Sequence, residues 1–127
     1  MEYDEFCRLA TLTTGSVFRQ VQRWDYFSKK TMGDQIFRAA VSVVSNAAEG
    51  RGRGERQERQ FLNISLGSCN EVIVQLGVCG VCKLIPRSTS RDLIAKYKEM
   101  RGWLESQIRV LDGEEGSDEA EDDDTPF

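Results

Sequence analysis

Residues 35–84 read QIFRAAVSVVSNAAEGRGRGERQERQFLNISLGSCNEVIVQLGVCGVCKL, and this stretch decides the fold class. It holds no proline, and the chain has none anywhere between residues 31 and 83. Proline removes an amide donor and breaks helix interiors, so a long run without it favours long helices. Ile36, Ala40, Val43 and Ala47 recur at spacings of three or four, widened by Ala39 and Val44. They make one apolar face of a helix that is predicted to start near Thr31, with Thr31 as cap and Asp34 in the first turn. Gly50, Gly52 and Gly54 stop it after roughly 20 residues, or about 30 Å. A second helix is predicted from Glu55 to Leu84. Phe61, Ser65, Ser68, Val72, Leu76 and Cys79 form its stripe, with Leu62, Cys69 and Ile73 alongside. Its small residues (Ser65, Gly67, Ser68, Gly77, Gly80) weaken helix propensity but permit close helix approach. Pro86 ends it by disfavouring the α conformation at the preceding residue.

The same periodicity extends outward in both directions. Toward the C-terminus, Thr89 and Asp92 repeat the capping pattern. Leu93, Tyr97, Met100, Leu104, Gln107 and Leu111 then follow a 4-3-4-3-4 rhythm widened by Trp103 and Ile108, as in the seam of a helical bundle. Toward the N-terminus, Phe6, Leu9, Thr13, Val17 and Val21 give one stripe on a helix expected from Tyr3 to Phe27. Four helices joined by connections of about 4 residues predict an all-α, antiparallel up-down-up-down four-helix bundle over residues 1–111. Residues 112–127, DGEEGSDEAEDDDTPF, have no apolar period and are expected to form a disordered acidic C-terminal tail.

Charge divides the chain in the same place. The net charge of −4 combines a body, residues 1–111, holding all 17 Lys and Arg against 12 acids, with a tail holding 9 acids and no base. A mildly basic body thus carries a strongly acidic appendage. There is no uninterrupted apolar run of 18 residues, so no transmembrane helix and no membrane partner are expected. The acidic start MEYDEFCRL lacks the apolar segment of a signal peptide, which makes the cytoplasm the default location. Cys7, Cys69, Cys79 and Cys82 then read as reduced thiols rather than a disulfide framework.

Two runs, QIFRAAVSVVSNAAEG (Gln35–Gly50) and FLNISLGSCNEVIVQL (Phe61–Leu76), resemble the bacterial four-helix-bundle family that includes proteins encoded in intervening sequences of large-subunit ribosomal RNA genes. The resemblance implies an antiparallel four-helix bundle and a ring-like homo-oligomer, a homopentamer. Similar bundles serve as accessory proteins in diversity-generating retroelements, where a basic pentamer contacts nucleic acid and a reverse transcriptase. This chain departs from the family in having Val44 where proline is frequent, and in its acidic tail.

The candidate functional residues follow from chemistry. Histidine is absent, which removes the commonest general base, the histidine-dependent triads and every histidine-containing zinc site. No catalytic residue, metal ligand set or cofactor is assigned, and the chain is read as a non-enzyme. Cys79 and Cys82 form a CxxC pair without the strand-to-helix context of a redox motif or two further ligands for zinc, so packing thiols are the simpler reading. Arg38, Asn46, Glu49 and Glu71 lie within the family-like runs and are expected to form a structural polar network that fixes helix register. A ligand pocket around Glu49 and Glu71 is the alternative. Arg51, Arg53, Arg56 and Arg59 in GRGRGERQER are the candidate nucleic-acid-binding residues, because guanidinium forks match phosphate. Two functions therefore stand open: an oligomeric scaffold or accessory protein binding nucleic acid or a nucleic-acid enzyme, and a structural or protein-interaction bundle that binds none. If the four arginines converge on one opening or face, the first gains; if they pair with Glu55, Glu58 or a neighbour's acids, the second does.

Overall fold

Asp4 and Glu5 occupy the first turn of α1, Tyr3–Gln22, where negative charge offsets the unpaired amides of a helix start. The computed structural model describes residues 1–113 of the chain. Phe6, Ala10, Thr13 and Val17 come round on one side of α1 and are buried. The helix is shorter than the expected span to Phe27, because Asp25 starts a new one. Asp25 is extended (φ −67°, ψ 166°), and its carboxylate accepts hydrogen bonds from Ser28 N at 2.9 Å and Ser28 Oγ at 2.8 Å. That is an N-cap. The expected cap, Thr31, instead donates its hydroxyl to the Phe27 carbonyl at 2.8 Å.

The helical run that follows has three parts: one turn, Tyr26–Ser28 (α2), a π-helical stretch, Lys29–Gly33, and the long α3, Asp34–Gly50. Gly33 marks a close approach, since a Cβ there would lie 2.8 Å from Val21 Cγ1 on α1. Ile36, Ala39, Ala40, Val43 and Ala47 are buried, matching the sequence stripe. After Gly50 the chain turns through Gly52, whose φ of +82° suits glycine, into α4, Glu55–Val81.

α4 stops three residues short of the expected Leu84. Lys83 takes a left-handed φ of 62°, and Leu84 N bonds back to the Cys79 carbonyl at 2.9 Å, a C-terminal cap geometry. α5, Arg87–Leu111, begins directly after Pro86, two residues ahead of the expected Thr89. Pro tolerates that position because helix-start amides have no intrahelical partner.

Contacts between the four long helices fix their directions. Between α3 and α4, Ser65 Oγ donates to the Val43 carbonyl at 2.5 Å and Ser42 Oγ meets Ser68 Oγ at 2.7 Å. Between α4 and α5, Ser90 Oγ donates to the Leu76 carbonyl at 2.8 Å and Cys69 Sγ to the Tyr97 carbonyl at 3.1 Å. The Phe18 and Phe37 rings meet at 5.4 Å across α1 and α3, and Phe6 stacks on Trp103 at 4.3 Å across α1 and α5. Between α3 and α4 and between α4 and α5, residue numbers rise on one helix as they fall on the other; α1 runs against α3 in the same way, since Thr14 Oγ1 also reaches the Ala40 carbonyl at 3.5 Å. The chain is an antiparallel four-helix bundle, and the core lies among Phe6, Val17, Ile36, Val43, Ile73, Leu76, Tyr97, Met100 and Leu104. The start of α1, the α3–α4 turn and the end of α5 share one end of it. The tail assigned to residues 112–127 falls, beyond Gly113, outside the described residues.

α4 differs from the other helices. By length and composition it is apolar enough to cross a membrane, with mean hydropathy 1.4 over its best 18 residues, although it contains no uninterrupted apolar run of that length. Only half of that window is buried in the bundle. The helix therefore has a second apolar face beyond the one its own chain covers.

Candidate functional site

The four arginines share one end of the bundle but not one environment. The Arg51 guanidinium lies over the Tyr3 ring, 4.2 Å from its centroid. Burial pushes the Tyr3 phenol up from its ordinary pKa, aided by Cys7 and opposed by Arg51. Arg53 forms an ion pair with Glu49, donates to the Glu49 carbonyl at 2.9 Å and lies 5.1 Å from the Phe61 ring. Arg59 Nη1 is bound to Asp112 Oδ1 at 2.7 Å. Arg56 makes no ion pair or hydrogen bond within the described residues. Convergence is therefore partial: Arg56 and Arg59 line one open groove of ≈ 670 Å³ with Gln60, Asn63, Ile64, Ile108 and Asp112. Arg51 and Arg53 do not line it. Among the described residues, the acids interleaved among the arginines in sequence, Glu55 and Glu58, take no arginine; Glu49 and Asp112 do.

Among the described residues, Arg38, Asn46, Glu49 and Glu71 are not hydrogen-bonded to one another. Arg38, Glu49 and Glu71 are exposed. Counting 100° per residue from the buried Val43 and Cys69 puts Arg38 on the outer side of α3 and Glu71 on the outer side of α4. Glu71 accepts from Gln75 Nε2 at 3.2 Å. The cross-helix polar link uses other residues: Asn46 Nδ2 donates to Ser42 Oγ at 2.8 Å, and Ser42 meets Ser68. Among the described residues no three His, Cys, Asp or Glu side chains gather where they could hold a metal ion.

The CxxC pair is split by burial. Cys79 is buried and Cys82 exposed, with Cys82 closing α4. Burial pushes the Cys79 thiol up to about 11 and that of Cys69 up to about 12, so neither is a thiolate near neutrality.

The sequence stripe missed a surface. Ile64, Val74, Val78 and Val81 on α4 are large, apolar and exposed, at 46%, 51%, 39% and 68%. With Gly67 and Glu71 they follow one another at spacings of three or four down the side of α4 opposite the core. The signal was available, because α4 carries more valine and isoleucine than one stripe can hold. Beside this face, the Gln75 side chain is buried, yet its carbonyl oxygen has no hydrogen-bond partner among the described residues.

Against known families, the model of the 23S rRNA-intervening sequence protein matches residues 5–106, spanning all four long helices. The chain belongs to that family. It is not a known enzyme family. The match covers the arginine turn and the whole outer α4 face; it stops short of Asp112 and the acidic segment beyond it. No curated protein and no solved structure matches the chain.

Proposed function

We propose that this family member is a non-enzymatic helical scaffold that works as a homo-oligomer joined through the outer face of α4. The observation that carries this reading is the second apolar face of α4. A helix apolar on nearly all sides is ordinarily covered on all sides, whereas α4 leaves Ile64, Val74, Val78 and Val81 in water. Gln75, buried with an unpartnered oxygen beside that face, adds a polar group that a second copy can satisfy. Glu71 lies within that face, exposed, and Arg38 is exposed on the outer side of α3; both suit register-fixing pairs between copies. The fivefold ring implied by the family resemblance is the expected assembly. Unpaired, buried thiols at Cys69 and Cys79 suit the reducing cytoplasm.

In the ring, symmetry repeats the arginine end once per subunit. We assign that end to nucleic acid, or to a nucleic-acid enzyme, with Arg56 and Arg59 as the principal phosphate ligands and Arg51 and Arg53 secondary. The competing reading, a bundle that binds no nucleic acid, is favoured by the engagement of Arg51 with Tyr3, of Arg53 with Glu49 and of Arg59 with Asp112.

Light scattering on the native chain and on a Val74→Lys/Val78→Lys double variant tests the assembly. A multimer that the double variant reduces to monomers is expected; a monomeric native chain would sink the reading. The absorbance ratio of native protein at 260 and 280 nm, with and without a high-salt wash, tests the second part. A nucleic-acid signature that the wash strips is expected, and none at any stage favours the competing reading.

A further inference from the structure

The residue that closes α5 holds a charge of the unfavourable sign, beyond the favourable Arg109 of the last turn. A helix C-terminus is the negative end of the dipole, yet Asp112 sits at the C-cap of α5. Arg59, reaching across from α4, compensates it at 2.7 Å. Gly113 follows with φ +82°, a left-handed residue that turns the chain out of the helix, its amide bonded to the Val110 carbonyl at 3.1 Å. The chain therefore leaves α5 from the wall of the groove that Arg56 and Arg59 line. Immediately beyond come Glu114, Glu115, Asp118, Glu119, Glu121, Asp122, Asp123 and Asp124, with no base among them.

We propose that segment 114–127 docks into the groove of Arg56, Arg59, Gln60, Asn63 and Ile108, with its carboxylates on the two guanidiniums. Three observations converge on this occupant. The segment starts at the groove, because Asp112 already occupies one of its two arginines. It is long enough, since a flexible chain of 14 residues spans about 20 Å on average. Its charge is complementary: Arg56 has no acid partner in the described chain, and the segment brings eight. Tethering raises the local concentration of those carboxylates into the mM range, so weak individual pairs are enough.

The consequence is regulatory. Guanidinium forks bind carboxylate and phosphate with the same donors, so a docked tail and a nucleic-acid backbone exclude one another. This part rests on the nucleic-acid reading above; the docking itself does not.

The experiment uses the full-length chain in two forms. One is native; the other has its eight tail carboxylates turned into amides (Glu114→Gln, Glu115→Gln, Asp118→Asn, Glu119→Gln, Glu121→Gln, Asp122→Asn, Asp123→Asn, Asp124→Asn). Side-chain NMR signals of Arg56 Nε, Arg59 Nε and Asn63 Nδ2 are compared, with Arg91, near the start of α5 at the far end of the bundle, as reference. Docking predicts that the groove signals differ between the two forms in about 0.1 M salt and converge in about 1 M, where the screening length falls from ~10 Å to ~3 Å. It also predicts that Arg91 stays put. Identical groove signals at low salt, or a shift at Arg91 as large as at Arg56, overturn the docking. Affinity for a single-stranded oligouridylate is then measured on both forms. Occlusion predicts about tenfold or tighter binding by the amide form. Groove shifts without that gain overturn the occlusion and leave the docking standing. Equal RNA binding by both forms without groove shifts overturns the docking and leaves the arginine assignment standing.

Discussion

The two faces of α4 use nearly the same residues and meet opposite surroundings. Inward, Leu62, Cys69, Val72, Ile73 and Leu76 are at most 3% exposed. Outward, Ile64, Val74, Val78 and Val81 present similar aliphatic groups to water. Hydrophobic content alone therefore does not say which face is the core. What separates them is the company each keeps. The inward face is threaded with hydroxyls and a thiol that find backbone carbonyls on the neighbouring helix, as Ser65 does on Val43 and Cys69 on Tyr97. The outward face has Gly67 and Glu71 instead, and beside it the buried Gln75, whose carbonyl oxygen has no partner among the described residues.

Truncation should break that symmetry most visibly. Leu76→Ala removes a side chain that is 1% exposed and leaves a cavity, so it should cost about 2–5 kcal/mol in urea unfolding. Val78→Ala, two residues on and 39% exposed, should cost well under half of that at concentrations where the protein is monomeric. A cost at Val78 that grows with protein concentration would mark the outward face as buried in the assembly, because dissociation then couples to unfolding. A concentration-independent cost as large as that at Leu76 would contradict the exposure described above.

Alkaline titration probes the inward face by another route. Cys69 and Cys79 stay protonated in the fold up to about 12 and about 11, whereas in the unfolded chain they ionise near 9. Between those values the native state holds more protons than the unfolded state, so stability is undiminished below pH 9 and falls as pH rises through 11 to 12. Cys69→Ala should remove much of that fall, at the cost of a small cavity at neutral pH. At pH 8, a thiol reagent should label Cys82 first and leave Cys69 and Cys79 unreacted until the chain is denatured. Rapid labelling of Cys69 in the native protein would contradict its burial.

The inward face was legible in the sequence because burial imposes a period of three to four residues, and period survives in a linear string. Ile36, Ala40, Val43 and Ala47 could be read as core without knowing what covers them. The break between α1 and α3 was not legible. Trp24, Tyr26 and Phe27 continue an apolar run, and the side chain that ends the helix, Asp25, precedes a helical turn with no apolar stripe of its own. The arginine end was legible as charge but not as geometry. Arg51 finds Tyr3, and Arg59 finds Asp112, through helices that antiparallel packing returns to the same end. The depth of Arg38, Asn46, Glu49 and Glu71 was not legible for a related reason. Polar residues within a recognisable run were assigned to one chain's interior, while α3 and α4 turn Arg38 and Glu71 outward.

Glycines give the finest comparison, because one added methyl group reports on whatever stands beside it. At Gly50 a Cβ would lie 2.8 Å from Phe61 Cβ, an atom held by the α4 backbone, so Gly50→Ala should cost about 1–3 kcal/mol. At Gly67, on the outward face, a Cβ would meet nothing within 4 Å. In an isolated chain Gly67→Ala gains helix propensity and should stabilise the bundle by about 0.5–1 kcal/mol. If a second copy packs on this face, the methyl enters the place where two helices approach most closely. The same substitution should then weaken the assembly in sedimentation while the dilute chain still gains in thermal unfolding. Those two opposed signs distinguish a covered glycine from an exposed one. A gain in the dilute chain with the assembly unchanged would place the contact elsewhere on the outer surface, at Val78 and Val81, and keep Gly67 outside it.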